Sequence, residues 1–342
     1  MVGDRTLQRI DGSGTKTWRG FSFAAGALAV FFAVEAWLFF SRYSLSFASE
    51  LALYLCLMLL VTLALIPAFP VSWKLVEHRL LRGRIAPVLI ACVGAAYGIY
   101  AAGCQDFRWP ALVRLLALSG LPLLVYAAAP VRNLSTLAWQ DAVVWTWLAM
   151  AMILRQWKGI WNVPVNLDFM ARLFVIAVAS WCWVFLRPVP GLGYSFSISA
   201  RTMRAVALNF VCFAAIAIPL SFEMEFAYWQ PRWQGHLAFW TRYVEIFIFI
   251  AWLEELLFRG FLQTLLASTL KSTILGQLLA SLAFGLSHIL LAPAPNWPYV
   301  AVASVAGWFY GSAFRQSGSL VGSALTHALV DAVWRTWFWG RG

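Results

Sequence analysis

Charge is scarce in this chain. Asp, Glu, Lys and Arg make up 11% of its 342 residues, against about a quarter in water-soluble domains. With 62% hydrophobic residues, no water-facing surface of ordinary composition can be built, which excludes a soluble globular domain. The alternating polar and apolar ten-residue segments of an outer-membrane barrel are also missing, which leaves helices as the spanning element. The five cysteines, Cys56, Cys92, Cys104, Cys182 and Cys212, show no CxxC or metal-type spacing, so neither a disulfide framework nor a cysteine metal site is expected. No small-residue cleavage site follows the apolar run 21–40, which is too long for a secretory signal and reads as a retained first span. No internal repeat or low-complexity stretch stands out.

What is present is a series of about eleven apolar segments, each near the length that crosses a hydrocarbon core of roughly 30 Å. They lie at 21–41, 50–69, 86–102, 110–129, 138–155, 169–186, 202–221, 238–264, 273–292, 297–314 and 319–339. The expected fold is an all-α, polytopic transmembrane helical bundle. Between the second and third segments, 71–84 mixes apolar and basic residues and reads as a surface-lying amphipathic segment. The net charge of +11 would suggest nucleic acid in a soluble protein. Here the cations crowd short loops, most of them on the side shared with the N-terminus, so a cytoplasmic N-terminus is expected and a nucleic-acid partner is not. The arginine-heavy, lysine-poor composition and compact loops point to a prokaryote, hence to a bacterial inner membrane. Tryptophans near segment ends, such as Trp109, fit an interfacial aromatic belt. The polar, glycine-bearing loop 187–204 is the expected boundary between an N-terminal helical region, 1–200, and a C-terminal region, 201–342, that carries the chemistry.

An ionisable side chain at the centre of a membrane helix costs about 2.5–3.5 kcal/mol on insertion scales, so each needs a partner or a purpose. The last third concentrates them. In AWLEELLFRGFL at 251–262, Glu255 and Arg259 are four residues apart and can pair on one helix face. Glu254 then points about 100° away, free for other work. In SLAFGLSHILLAP, Phe284 precedes His288 by four, so its ring can shelter the imidazole from lipid. In SALTHALVDAVW, His327 and Asp331 share a face at the same spacing. The other two histidines, His78 and His236, fall in interfacial segments and read as surface residues. Glu35, Asp141 and Glu245 also fall in apolar segments, and helix-to-helix hydrogen bonding is their default explanation. Gly307 and Gly311 form a G-x-x-x-G spacing that reads as a packing face.

EELLFR at 254–259, FGLSH at 284–288 and HALVD at 327–331, with GWFYG at 307–311 and SGSL at 317–320 before the last, resemble in order and spacing the EExxxR, FxxxH and HxxxN motifs of the CPBP family. These are membrane-embedded peptidases related to the CAAX prenyl endopeptidase and to bacteriocin-processing and immunity proteins. The resemblance covers about residues 200 to 339, and the chain departs from it at Asp331, where Asn is usual. It implies a peptidase that cuts a membrane-associated protein or peptide in contact with lipid. Its implied site comprises Glu254, Glu255, His288, His327 and Asp331, with Arg259 as Glu255's structural partner. Glu254 is the expected general base. His288 and His327 are expected to bind either the oxyanion or, with Glu254 or Asp331, a divalent metal such as zinc. Asp331 is expected to orient His327 or serve as a further ligand. Two readings from other classes compete: a transporter or proton relay, since buried Asp, Glu and His also serve pumps, and a catalytically silent immunity or scaffold protein.

Overall fold

The computed structural model describes residues 26–27, 29–31, 33–34, 45–69, 84–164, 166–196, 198–291 and 293–340. Most of the expected first span, Glu35, His78 and the amphipathic segment apart from Arg84 lie outside them. The described residues of 26–34 are helical. Ten longer helical elements follow, one for each remaining apolar segment. These are α1 (Phe47–Leu65, extended by a 3₁₀ turn Ile66–Ala68), α2 (Ile85–Cys104), α3 (Trp109–Ala128), α4 (Trp139–Ile153), α5 (Asp168–Trp181, extended by a π turn Cys182–Leu186) and α6 (Ala200–Glu223). Helix α7 starts at His236–Ile246 and runs on through a π turn Phe247–Ala251, an α turn Trp252–Glu255 and a second π turn Leu256–Gln263 to Thr264–Thr269. It is followed by α8 (Thr273–Leu286), α9 (Trp297–Ser317) and α10 (Leu320–Trp337).

Among the described residues, five helices are long and apolar enough to cross a membrane: Phe47–Ala68, Ile85–Cys104, Trp109–Ala128, Asp168–Leu186 and Ala200–Glu223. The protein is therefore an integral membrane protein of helical class, and the expected count of eleven spans is not reached by this measure. Helices α4 and α8 are short, while α7, α9 and α10 carry the ionisable, hydroxyl and glycine residues that lower mean hydropathy.

Short side chains set the helix ends. Ser46, Ser272 and Asn296 accept hydrogen bonds from the backbone amides three residues on, at 3.2, 3.3 and 3.0 Å, which occupies donors that have no intrahelical partner. The SGSL stretch is a tight connection between α9 and α10. Gly318 ends α9 at φ 71°, a left-handed conformation that favours glycine. Ser319 then caps α10 by accepting from the Val321 amide at 3.2 Å.

Helix α9 sits at the middle of the C-terminal part, packed against α6, α8 and α10, while α7 packs against α8, α10 and α5. In the N-terminal part α1 packs on α2 and α5, and α3 packs on α2, α4 and α5. The two parts share one apolar core: Trp183 of α5 stacks on Phe261 of α7 with centroids 4.3 Å apart. One element goes beyond the helical expectation. Strand β1 (Ala227–Trp229) pairs antiparallel with β2 (Phe338–Gly340), in the register Ala227↔Gly340 and Trp229↔Phe338. The chain leaves α10 extended, and its freed backbone groups find partners in the segment after α6.

Candidate active site

Helix α7 carries Glu254 and Glu255 on the single α turn between its two π turns, a distortion common at functional sites. The two carboxylates meet different surroundings. Glu255 is fully buried, and Arg259 Nη1 donates to its Oε1 at 2.9 Å, the i,i+4 pair expected from spacing. Arg259 is itself fully buried, donates from Nη2 to the Gly307 carbonyl at 3.1 Å, and lies 4.4 Å from the centroid of the Phe284 ring. The remaining capacity of Glu255 is used by α10: Ser323 Oγ donates to Oε2, and His327 Nδ1 lies 2.8 Å from Oε1. Ser323 lies one turn before His327 and shares its face.

A carboxylate can only accept, so His327 carries its proton on Nδ1, which turns Nε2 away from Glu255. Tyr310 stacks on the imidazole at 4.5 Å and Phe284 meets it edge-on at 5.7 Å, so the ring has no freedom to turn. His327 Nε2 faces Glu254 Oε2 at 3.9 Å and Asp331 Oδ1 at 3.8 Å. The Glu254 side chain is 15% exposed and that of Asp331 28%, against 0% for Glu255. Accessible carboxylates thus flank one nitrogen of His327 while a buried one grips the other. The orienting partner of His327 is Glu255, because only its oxygen is in hydrogen-bond reach; Asp331, expected in that role, lies on the opposite nitrogen.

His288 lies in the turn just past α8, one turn after Phe284, whose ring meets it edge-on at 5.0 Å as the spacing predicted. Its Nδ1 lies 2.9 Å from the Phe284 carbonyl, which can only accept, so Nε2 is left as the other functional atom. The ring leans on Tyr299 at 4.7 Å.

Glu254, His288, His327 and Asp331 all line one cavity of about 1240 Å³. Glu255 and Arg259 are not among its lining residues, and Glu255 touches His327, which is. Among the described residues no three His, Cys, Asp or Glu side chains come together in a group that could hold one metal ion. Both imidazoles give Nδ1 to protein acceptors, the arrangement in which a histidine presents Nε2 to a metal or an oxyanion, so each Nε2 is left free. Gly307 and Gly311 serve as the expected packing face, with the added task of offering their carbonyls to Arg259 and, at 3.3 Å, to Gln263. Asp141, too, does what its default explanation required: both its oxygens accept from Arg187, at 2.9 and 2.8 Å.

Sequence reasoning missed Ser323, whose i,i+4 step to His327 repeats that from His327 to Asp331, and it missed Tyr310 and Tyr299, which carry no motif. It also left Arg172 without a role, although that residue lines the same cavity from α5.

Helices of a membrane protein thus turn acid and imidazole groups onto one cavity. Residues 233–333 match the family model described as type II CAAX prenyl endopeptidase Rce1-like, in keeping with the family that the three motifs resemble. The match contains every residue from Glu254 to Asp331 and excludes α1 to α6. No curated protein and no solved structure matches the chain.

Proposed function

We propose that the chain is an intramembrane endopeptidase that hydrolyses a peptide bond of a membrane-associated substrate with a water activated by Glu254. The observation that carries this reading is the division of labour between adjacent glutamates: Glu255 grips His327 from behind, and Glu254 faces the free nitrogen of the same ring at 3.9 Å across the cavity edge. Glu254 takes a proton from water as the water oxygen attacks the scissile carbonyl carbon. The oxyanion formed is held by N–H donors, for which His327 Nε2 in its protonated form and His288 Nε2 are the available groups. Collapse of the tetrahedral intermediate breaks the C–N bond, and Glu254 returns its proton to the leaving amine. Asp331, in place of the usual Asn, stands beside Nε2 with its Oδ1 3.8 Å away.

The test is cleavage of a panel of internally quenched, lipid-modified peptides by the full chain in detergent. Glu254→Gln is expected to lower turnover by about 10²–10⁴, the usual contribution of a general base, with the melting temperature unchanged. His327→Ala is expected to abolish turnover. Wild-type rates in a folded Glu254→Gln variant would reject the assignment. Under this reading a chelator leaves cleavage intact; a loss that zinc restores would instead put a metal in the reaction.

A further inference from the structure

Arg187 and Arg259 are fully buried and Arg172 is half-buried, and the three are treated differently. Arg187 donates to both oxygens of Asp141 and to the carbonyls of Leu134 and Thr136. Arg259 donates to Glu255 and to Gly307. Arg172, on α5, has only a ring beneath it: its guanidinium carbon lies 4.7 Å from the Trp157 centroid. Among the described residues it makes no ion pair or hydrogen bond, and its buried Nε has no partner. A guanidinium presents five donors in a planar fork; the Nε–H of Arg172 is buried without a partner, which is unfavourable unless something else supplies an acceptor.

The position of Arg172 indicates what that is. Helix α5 packs against α7 at the Trp252–Glu255 turn, and Arg172 lines the cavity shared by Glu254, His288 and Asp331. Asp168 lies one turn earlier on the same helix and lines the cavity too, but neither it nor Glu254 pairs with Arg172. Exposed Arg155 and Lys158, from the segment after α4, line the cavity too. Charges of both signs line the cavity, including Asp168 on α5 and Arg242 and Arg335 on α7 and α10, and Arg155, Lys158 and Arg172 form a cationic group on the side built by α4 and α5. A peptide that reached Glu254 with its scissile bond would share the cavity with that group.

We propose that Arg172, backed by Arg155 and Lys158, forms an anion subsite that binds a carboxylate of the peptide substrate, either its C-terminus or an acidic side chain beside the scissile bond. The subsite is a specificity element contributed by the part of the chain outside the family match. It rests on the peptidase reading for the identity of its ligand, but binding tests it without catalysis.

The experiment is calorimetric titration of the full-length Glu254→Gln protein in detergent with three peptides: N-acetyl-Leu-Leu-Ala as the free acid, the same peptide as its amide, and N-acetyl-Leu-Asp-Ala amide. Charge-assisted hydrogen bonds contribute about 1.5–3 kcal/mol, so one or both of the anionic peptides should bind at least about tenfold tighter than the neutral amide. Which of the two gains identifies the carboxylate. Adding Arg172→Gln is expected to remove the preference at an unchanged melting temperature, a loss that a merely structural role would not produce. If that variant does not fold, Arg172→Lys decides the matter: it keeps the charge without the fork and should retain only part of the preference. An undiminished preference in the folded variants, or no binding of any peptide to the folded protein, would overturn the subsite. If wild-type protein cleaves nothing while the preference still depends on Arg172, the peptidase reading fails and the subsite stands. The reverse result removes the subsite alone.

Discussion

Glu255 is the residue on which the site turns, because one carboxylate serves a guanidinium, a hydroxyl and an imidazole at once. Removing one partner of such a buried pair leaves an uncompensated charge, which typically costs 3–5 kcal/mol, whereas replacing both can be nearly neutral. Arg259→Ala is therefore expected to destabilise by about 3–5 kcal/mol. Arg259→Met with Glu255→Gln is expected to be less destabilised than Arg259→Ala alone, read from unfolding midpoints in detergent. If the double variant is the worse of the two, the carboxylate's bonds to Ser323 and His327 outweigh its bond to Arg259. The pairing of Glu255 with Arg259 was legible in the sequence, because a four-residue step on a helix is a local fact. The bond to His327 was not, since it joins residues 72 apart, and nothing in the spacing of either motif says which of two adjacent glutamates faces α10. The π turns that flank Glu254 and Glu255 shift the helix phase on which any such inference depends.

Between elements, backbone proximity rather than apolar area sets how closely the helices approach, since lipid competes for apolar surface as well as any helix does. Gly276 at the start of α8 lies directly against the end of α7: a methyl group there would meet the Ala267 amide nitrogen and come within 2.6 Å of its Cα. Backbone cannot step aside as a side-chain tip can, so Gly276→Ala is expected to cost at least about 1–3 kcal/mol. Gly94→Ala and Gly98→Ala on α2 meet nothing within 4 Å and should gain roughly 0.5–1 kcal/mol from helix propensity. Equal midpoints for the three variants would refute this. The loop between α2 and α3 supplies a pH-dependent link of the same scale. Burial pushes the Asp106 carboxyl up, but hydrogen bonds from Tyr100, Arg108 and the Asn162 amide outweigh it and hold the group below its ordinary value of 3.8. The stabilisation is therefore complete above that value and is lost as pH falls through the lower folded value. Asp106→Asn is expected to flatten the acid limb of the stability profile and leave neutral pH with a lower plateau. An acid limb as steep as wild type would place the sensitive group elsewhere. That helices fill these segments was plain from the apolar runs. The ribbon of β1 and β2 was not, since it needs two short pieces more than 100 residues apart to meet.

Across the whole molecule, side chains from either side of the boundary expected near residue 200 are in contact. Trp145 meets Phe258 edge-on at 6.1 Å, Leu137 donates its amide to Thr269 Oγ1 at 2.9 Å, and Trp183 stacks flat on Phe261 while donating to Tyr126 at 3.2 Å. The contacts of Trp145, Leu137 and Trp183 with Phe258, Thr269 and Phe261 join the N-terminal helices to α7, the helix that carries both glutamates. None was legible beforehand, because aromatic residues are abundant in every segment and an interfacial belt accounts for them equally well. If the N-terminal helices brace α7, Trp183 and Phe261 must be energetically coupled. A stacked aromatic pair contributes about 0.5–1.5 kcal/mol beyond its buried area. In a double-mutant cycle with Trp183→Ala and Phe261→Ala, the coupling energy is expected to fall in that range, with one unfolding transition in all four proteins. Two independently stable units would give no coupling and two transitions, and α7 would then owe its position to α8 and α10 alone. Coupling with a single transition would mean that the wall bearing Arg172 and the wall bearing Glu254 move as one body, which a subsite shared between them requires.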